Sequence, residues 1–349
     1  MTTALGSFEE ANGEVTSSSR RLADLVFKIR EFGIIAVLAI FVIVTASIQS
    51  RFIDSQNIKF IFTNATIYAL LALGETMVVV ARNIDLSVGS VLGLSAYLSA
   101  DMFNRAHGIP IVAVFAVGLA IGLACGVVNG AIVTLGRVPS LVVTLATLYV
   151  IRGLDIILVG GGMVVASSLP NSFLAIASAS AGPVPYLAMV VAVVIGLGAY
   201  YLRSFRSGRE LYAIGSNPDA AVLAGIPIGK RVFTAFVVSG GIAGIAGVLW
   251  AANYGTIDST AGTGYELQVV AAVVVGGVAI FGGSGTVVGA AFGALLLATI
   301  TQALYVLGIS SFWDGAIAGL LLIAAISMDH GIAVSLTAAL RKRSLQRGT

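Results

Sequence analysis

The sequence is poor in the residues that carry catalysis. It holds one cysteine, Cys125, and two histidines, His107 and His330, in 349 residues. A single thiol forms no internal disulfide, and Cys125 sits in an apolar run where it packs as a small residue. One cysteine and two scattered histidines cannot assemble a structural zinc site. Charge is equally scarce: Asp, Glu, Lys and Arg make up 10% of the chain, against roughly 25% in soluble globular proteins. There is no series of carboxylates and histidines within the apolar runs, as an ion-coupled pump would need. No Gly-x-Ser-x-Gly elbow is present. The nearest approach to a phosphate loop is Gly225-Ile-Pro-Ile-Gly229-Lys230, followed by Arg231. It is one residue short between its glycines and lacks the Ser or Thr that would hold magnesium. An intramembrane enzyme is therefore disfavoured, and the chain is expected to bind no cofactor of its own.

What the sequence has in quantity is apolar surface. Hydrophobic residues make up 58% of it, and the mean hydropathy is +1.02. The apolar runs are continuous, as in Gly33 to Ile48 and Leu187 to Leu202. They do not alternate with period two, so they read as helices and not as barrel strands. The expected fold class is all-α polytopic, with about ten transmembrane helices of about 20 residues each. The spans are expected at 33–50, 60–80, 87–103, 110–134, 139–159, 186–203, 231–252, 265–281, 285–307 and 311–328. The segment 265–281 is short and glycine-rich, and a re-entrant course is open to it. Residues 1–30 read as a polar N-terminal tail without signal-peptide character, 31–330 as the transmembrane domain and 331–349 as a basic tail.

Lysine and arginine orient these spans. With the N-terminus in the cytoplasm, fifteen basic residues fall on that side and four (Arg51, Lys59, Arg105, Arg152) on the outer side, together the nineteen of the chain. An even number of spans returns the C-terminus to the cytoplasm. The net charge of +3 is thus topogenic, and nucleic acid is not an expected partner.

Two polar connections are long. One runs from Arg152 to Pro185 on the outer face. The other, 203–231, is cytoplasmic and rich in helix formers. A short helix is expected there, with Asn217 or Pro218 at its start and Gly225 at its end. Glycines recur every fourth residue at Gly118, Gly122, Gly126 and Gly130, and at Gly285, Gly289 and Gly293. Such spacing opens a groove for a neighbouring backbone; ordinary packing and sliding faces both fit it. A faint repeat pairs Val79-Val80 and Gly89 to Gly93 with Val274-Val275 and Gly285 to Gly289. Few positions match, so duplication and coincidence both stand. Two acids lie at membrane depth. Glu75 sits near the cytoplasmic end of the second span, free to snorkel or to bond a backbone amide. Asp85 precedes a helix expected to start near Leu86 or Ser87, which it is placed to cap.

Four segments carry a resemblance. Asn83-Ile-Asp85-Leu-Ser87-Val-Gly89-Ser90 resembles the Gly-Ile-Asp-Leu-Ser-Val-Gly-Ser signature of permease subunits of bacterial ABC sugar importers of the ribose/xylose/galactose type. Leu211 to Asn217, continuing through Ala220-Ala221 to Gly225-Ile226, is similar to the cytoplasmic coupling segment of that family. Thr260 to Leu267, and Gly276-Gly277 to Phe281-Gly-Gly-Ser-Gly285, are similar to its C-terminal signatures. The likeness runs in order from about residue 33 to 330. One departure is Arg82-Asn83, where the family often has Gly-Gly. It is a mark of the branch that imports the furanosyl signal autoinducer-2, or of the rhamnose branch.

The resemblance implies a type II-importer-like permease fold in a bacterial inner membrane. It implies two cytoplasmic ATPase subunits carrying ATP and magnesium, a second permease subunit, identical or paralogous, and an outer-face solute-binding protein. It implies coupling to the ATPase through Arg206, Arg209, Glu210, Asn217, Ala220, Ala221, Leu223 and Gly225, and a helix break near the path at Asn83, Asp85, Ser87 and Gly89. A permease for branched-chain amino acids is the nearest alternative, and an ion-coupled secondary transporter is more distant.

Overall fold

A computed structural model describes residues 33–106 and 108–327. The expected tails, together with His107 and His330, lie outside the described residues.

The described residues form thirteen α-helices: α1 (Gly33–Ile48), α2 (Ser55–Val79), α3 (Val88–Arg105), α4 (Ile111–Thr134), α5 (Ser140–Val159), α6 (Asn171–Ser178), α7 (Tyr186–Ser204), α8 (Arg206–Ser216), α9 (Pro218–Leu223), α10 (Ile228–Tyr254), α11 (Tyr265–Val275), α12 (Val287–Val306) and α13 (Trp313–Ser327). A helix stands at each of the ten expected places. Six of them (α2, α4, α5, α7, α10, α12) are long and apolar enough to cross a membrane, while α1, α11 and α13 are shorter apolar helices. The chain is a multi-pass membrane protein on this evidence. Helices α2, α10 and α12 are mostly buried inside the protein, and α4, α5 and α7 show most of their surface outward. That outward surface is Leu, Ile, Val and Tyr, which lipid solvates without cost.

Proline sets many of the boundaries. Of seven prolines, five stand immediately before α4, α5, α6, α7 and α10, and Pro218 opens α9. Proline lacks the amide that a first helical turn leaves unpaired anyway, and its fixed φ suits the entry.

Glycine sets the packing. A Cβ on Gly122 of α4 would run into the carbonyl of Gly240 on α10, and one on Gly126 would meet that of Phe236. The α4 glycines therefore let two backbones touch, which is close packing of the kind that holds spanning helices together. The second stripe is only partly helical. Gly289 and Gly293 of α12 face the backbone of α11 at Gly276 and Ala272, but Gly285 precedes the helix with φ +125.

Several helix ends share one pattern. In α9, α11 and α12 a glycine in the left-handed region (Gly225, Gly277, Gly308) donates to the carbonyl three residues back, and the next residue donates five back. This pair of hydrogen bonds closes the last turn. Helix α2 ends the same way: Arg82 donates to Val79 at 2.9 Å and Asn83 to Val78 at 3.1 Å. The equivalents at the end of α11 are Gly277 to Val274 at 2.9 Å and Val278 to Val273 at 3.1 Å. The repeat seen in sequence thus coincides with a repeated helix terminus. At α2, however, an arginine with φ +63 holds the position where glycine is the natural choice.

The Arg152–Pro185 connection is more ordered than its composition indicates. Helix α5 continues through Arg152 to Val159, so Arg152 is a residue of a helix and not of the loop. Its guanidinium donates to the Ala261 carbonyl at 2.6 Å. The rest folds into α6 and a small hairpin of β1 (Ser180–Ala181) and β2 (Val184–Pro185). Phe173 of α6 is fully buried against Phe103 of α3, ring centres 5.1 Å apart.

Candidate functional site

The 203–231 connection holds two helices, α8 and α9, where one was expected. Helix α8 is amphipathic. Leu211 and Ile214 are buried, while Arg206 and Arg209 are exposed. Asn217 separates the two helices, and its side chain accepts the Ala220 amide at 3.1 Å, capping α9. Gly225 ends α9 with φ +72.

Glu210 anchors this pair to the bundle. Its carboxylate accepts from Arg206 Nε at 2.8 Å and from Arg231 Nε of α10. The Arg231 bond, with that of Arg206 beside it, holds the Glu210 carboxyl below the usual carboxylate range. Glu210 is therefore an internal strut, not an exposed polar edge. Ala221 is likewise buried within this chain. The outward surface of α9 is instead Asp219, Ala220, Val222 and Leu223, continued by Ala224 just after it, with Leu223 90% exposed. Val222 was not singled out from sequence, because a six-residue helix has too little periodicity to show which side faces in.

The α8–α9 pair meets two inter-helix loops at one junction. These are 80–87, between α2 and α3, and 276–286, between α11 and α12. The Gly283 amide donates to the Val80 carbonyl at 2.9 Å. Arg82 Nε donates to the Gly215 carbonyl at 2.6 Å, and Arg82 Nη2 to that of Ser216 at 3.3 Å. The Tyr212 hydroxyl donates to Gly285 at 2.9 Å. Gly215 cannot carry a side chain here, since a Cβ would collide with the Val80 carbonyl and the Gly283 amide. Arg82, Tyr212, Gly215 and Gly283 had no sequence signal as a group. They are up to 201 positions apart, and only the fold brings them together.

From this junction the 80–87 loop turns back into the protein. Asn83 bonds locally, its side-chain amide donating to Ala81 at 2.8 Å. The Asp85 amide donates to Glu75 Oε1 at 3.1 Å, so Glu75 is the amide-bonded carboxylate and does not snorkel. Asp85 Oδ1 accepts the Ser87 amide at 3.0 Å and the Ser87 hydroxyl at 2.6 Å. Asp85 thus fixes the turn just before α3, which starts at Val88, and does not bond the helix's own first amides. Asn129 of α4 donates to the Ser87 hydroxyl at 2.8 Å. Gly89 abuts the start of α11, where a Cβ would collide with Glu266. The stretch between α2 and α3 is non-helical at Asn83, Asp85 and Ser87, Gly89 lies within α3, and Asp85 and Ser87 are buried in the protein interior. Among the described residues no group of three or more His, Cys, Asp or Glu is arranged to hold a metal ion.

The family described as branched-chain amino acid transport system / permease component matches residues 57–326. Curated relatives are similar over most of the chain. The autoinducer 2 import system permease protein LsrC of Enterobacter sp. (strain 638) is 35% identical over 303 residues, covering 87% of each chain. The protein of the same name from Salmonella typhi is 33% identical over 315 residues, 90% of this chain and 89% of the relative. That of Yersinia enterocolitica (serotype O:8 / biotype 1B) is 34% identical over 320 residues, 91% and 87%. These relatives are named as autoinducer 2 import permeases, one of the two branches that Arg82-Asn83 left open. No solved structure matches the chain. The chain belongs to the branched-chain amino acid transport system / permease component family and is a membrane-embedded permease subunit.

Proposed function

We propose that this chain is the membrane-spanning subunit of an ATP-driven, binding-protein-dependent importer of a small sugar-like solute of the autoinducer-2 type. One observation carries the reading: α8 and α9 form a capped module, exposed on one side and bonded on the other to the loops that interrupt the spanning helices. A module built this way passes a push from outside the bilayer into the transport domain. Partner ATPase subunits, which bind the ATP and magnesium, press on Val222 and Leu223. The 80–87 loop moves with α8, carrying Asp85, Ser87 and the start of α3. Access then switches between the two faces. Ten spans with both termini in the cytoplasm, in a bacterial inner membrane, put α8–α9 on the ATPase side and the Arg152–Pro185 segment on the side of a binding protein. A second permease subunit completes the path.

The test is uptake by the assembled transporter in proteoliposomes, with Leu223→Glu as the variant. Leu223 makes little contact within this chain, so the variant is expected to insert and fold normally. Uptake and binding-protein-stimulated ATP hydrolysis should both fall at least tenfold. Unchanged uptake sinks the coupling role of α9. The family description names branched-chain amino acids, so leucine belongs among the competing solutes, as does rhamnose. Competition by leucine and not by furanosyl sugars would move the substrate to that class.

A further inference from the structure

Midway along α2 and at the C-terminal end of α10, away from the junction, aromatic and amide side chains gather at the start of α11. Tyr68 of α2 stacks on Tyr265 of α11, centroids 4.8 Å apart, and Trp250 stacks on Tyr254 of α10 at 4.4 Å. Trp250 Nε1 donates to the Tyr265 hydroxyl at 3.0 Å. The Tyr254 hydroxyl lies 3.4 Å from the same oxygen and donates to Asn64 Oδ1 at 3.2 Å. The two stacked pairs are thereby joined into one wall, with Tyr265 as its hub.

The wall lies deep. Tyr68 is thirteen residues into α2, about 20 Å along the axis at 1.5 Å per residue. Helix α11 therefore begins level with the middle of α2, after the non-helical stretch 255–264. Irregular backbone at such depth persists where protein buries it or where it lines a polar passage, and broken helices of this kind mark substrate sites in transporters. One turn along α11, Gln268 is nine-tenths buried. Its amide donates to Asp314 at 2.6 Å, yet its Oε1 has no partner among the described residues. Asp314 also accepts from the Thr301 hydroxyl of α12 at 2.9 Å. Tyr254 remains 46% exposed, so the wall is accessible from one side.

We propose that this wall is a weak relay site for a neutral, polyhydroxylated solute crossing the permease, a proposal that rests on the sugar-importer reading above. Aromatic faces accept the C–H faces of a sugar ring, and Asn64, Gln268 and Asp314 exchange hydrogen bonds with its hydroxyls. A fatty chain has no use for those polar groups. An amino acid would need a cation for its carboxylate, and none of these side chains is Lys or Arg. The site is weak because its hydroxyls are already bonded to one another. A solute replaces bonds and adds few, so it also leaves readily.

The test uses the assembled transporter, with its ATPase and binding protein, in proteoliposomes. Tyr265→Phe keeps the stacked ring and removes the hub oxygen. Uptake should fall at least fivefold, while ATP hydrolysis stimulated by loaded binding protein stays within twofold of wild type. Loss of both together means a structural role and overturns the proposal, as does unchanged uptake. A second arm needs no transport. The chain has two tryptophans, and the exposed Trp313 is replaced by phenylalanine, leaving Trp250 as the reporter. Its fluorescence should change saturably with millimolar D-ribose and not with leucine; no change, or an equal change with leucine, overturns the proposal. Wild-type proteoliposomes that import no sugar-like solute sink the parent reading and this one together. Wild type that imports while Tyr265→Phe imports equally sinks this site alone.

Discussion

Arg82 donates from Nε to the carbonyl of Gly215 at 2.6 Å while its own backbone sits at φ +63. The residue at the end of α2 is thus held in a conformation costing an L-residue about 1–2 kcal/mol, and its side chain spans to the end of α8. Glycine at this place, as at Gly277 of α11, relieves the strain but makes no such link. In this chain the link and the strain come together.

Two substitutions separate them. Arg82→Gly removes the side-chain bonds and the strain; Arg82→Ala removes the bonds and keeps the strain. Thermal unfolding of the purified permease should rank Gly above Ala, by about 1 kcal/mol. Uptake per ATP hydrolysed should fall in both, because both lose the hold on Gly215 and Ser216. A glycine variant with full transport efficiency would show that Arg82 transmits nothing.

Glu210 gives the junction a pH dependence. Its carboxyl is held below the ordinary glutamate range by Arg231 and Arg206. A group with a lowered folded value contributes fully above its unfolded pKa, about 4.3 for glutamate. That contribution is lost as pH falls through the lowered value. The unfolding midpoint should therefore respond alike in the two proteins down to about pH 5 and, below about pH 4, drop by more in wild type than in Glu210→Gln, which has no such carboxylate to protonate. Parallel curves for the two proteins would remove Glu210 as a strut.

Glycine positions differ sharply in tolerance. Gly122→Ala puts a methyl group onto the Gly240 carbonyl and forces α4 from α10. Overpacking of this kind costs about 1–3 kcal/mol, measurable as a lower melting temperature and lower yield. Gly196→Ala on α7 meets nothing within 4 Å, and its melting temperature should stay level or rise slightly.

Asn217→Ala removes the cap on α9, at a typical cost of about 1 kcal/mol. Hydrogen exchange should speed up in α9 and stay unchanged in α4 and α10. Uniform protection across the three helices would show that the cap is not what holds α9 in place.

Much of this was legible in the sequence because lipid imposes strict rules. Continuous apolar runs have to be helices, so all ten helix positions could be placed by hydropathy. The cap at Asn217 and the stop at Gly225 were readable because both are local, each set by residues within a few positions. The Asp85 turn was readable for the same reason, although its bonds go to Ser87 and not to the first turn of α3. The errors arose where one-dimensional signals run out. The expected span 139–159 already held Arg152, yet the polar connection was also started there, because charge usually marks a boundary; the carbonyl of Ala261 satisfies it on α5. Ala221 looked like a contact surface because small residues suit both a docking face and a packed one.

The sequence by itself determined a helical membrane protein, its family resemblance and the place of the α8–α9 module along the chain, because hydrophobicity and helix capping act over a few residues. Only the tertiary structure decided how that module is joined to the transport domain. Arg82, Gly215, Gly283 and Glu210 bond or abut through backbone carbonyls and across separate helices. Tyr68, Trp250 and Tyr265 come from three helices to form one wall. Contacts of that range leave no period or spacing in the chain, since they depend on how glycine allows the helices to approach.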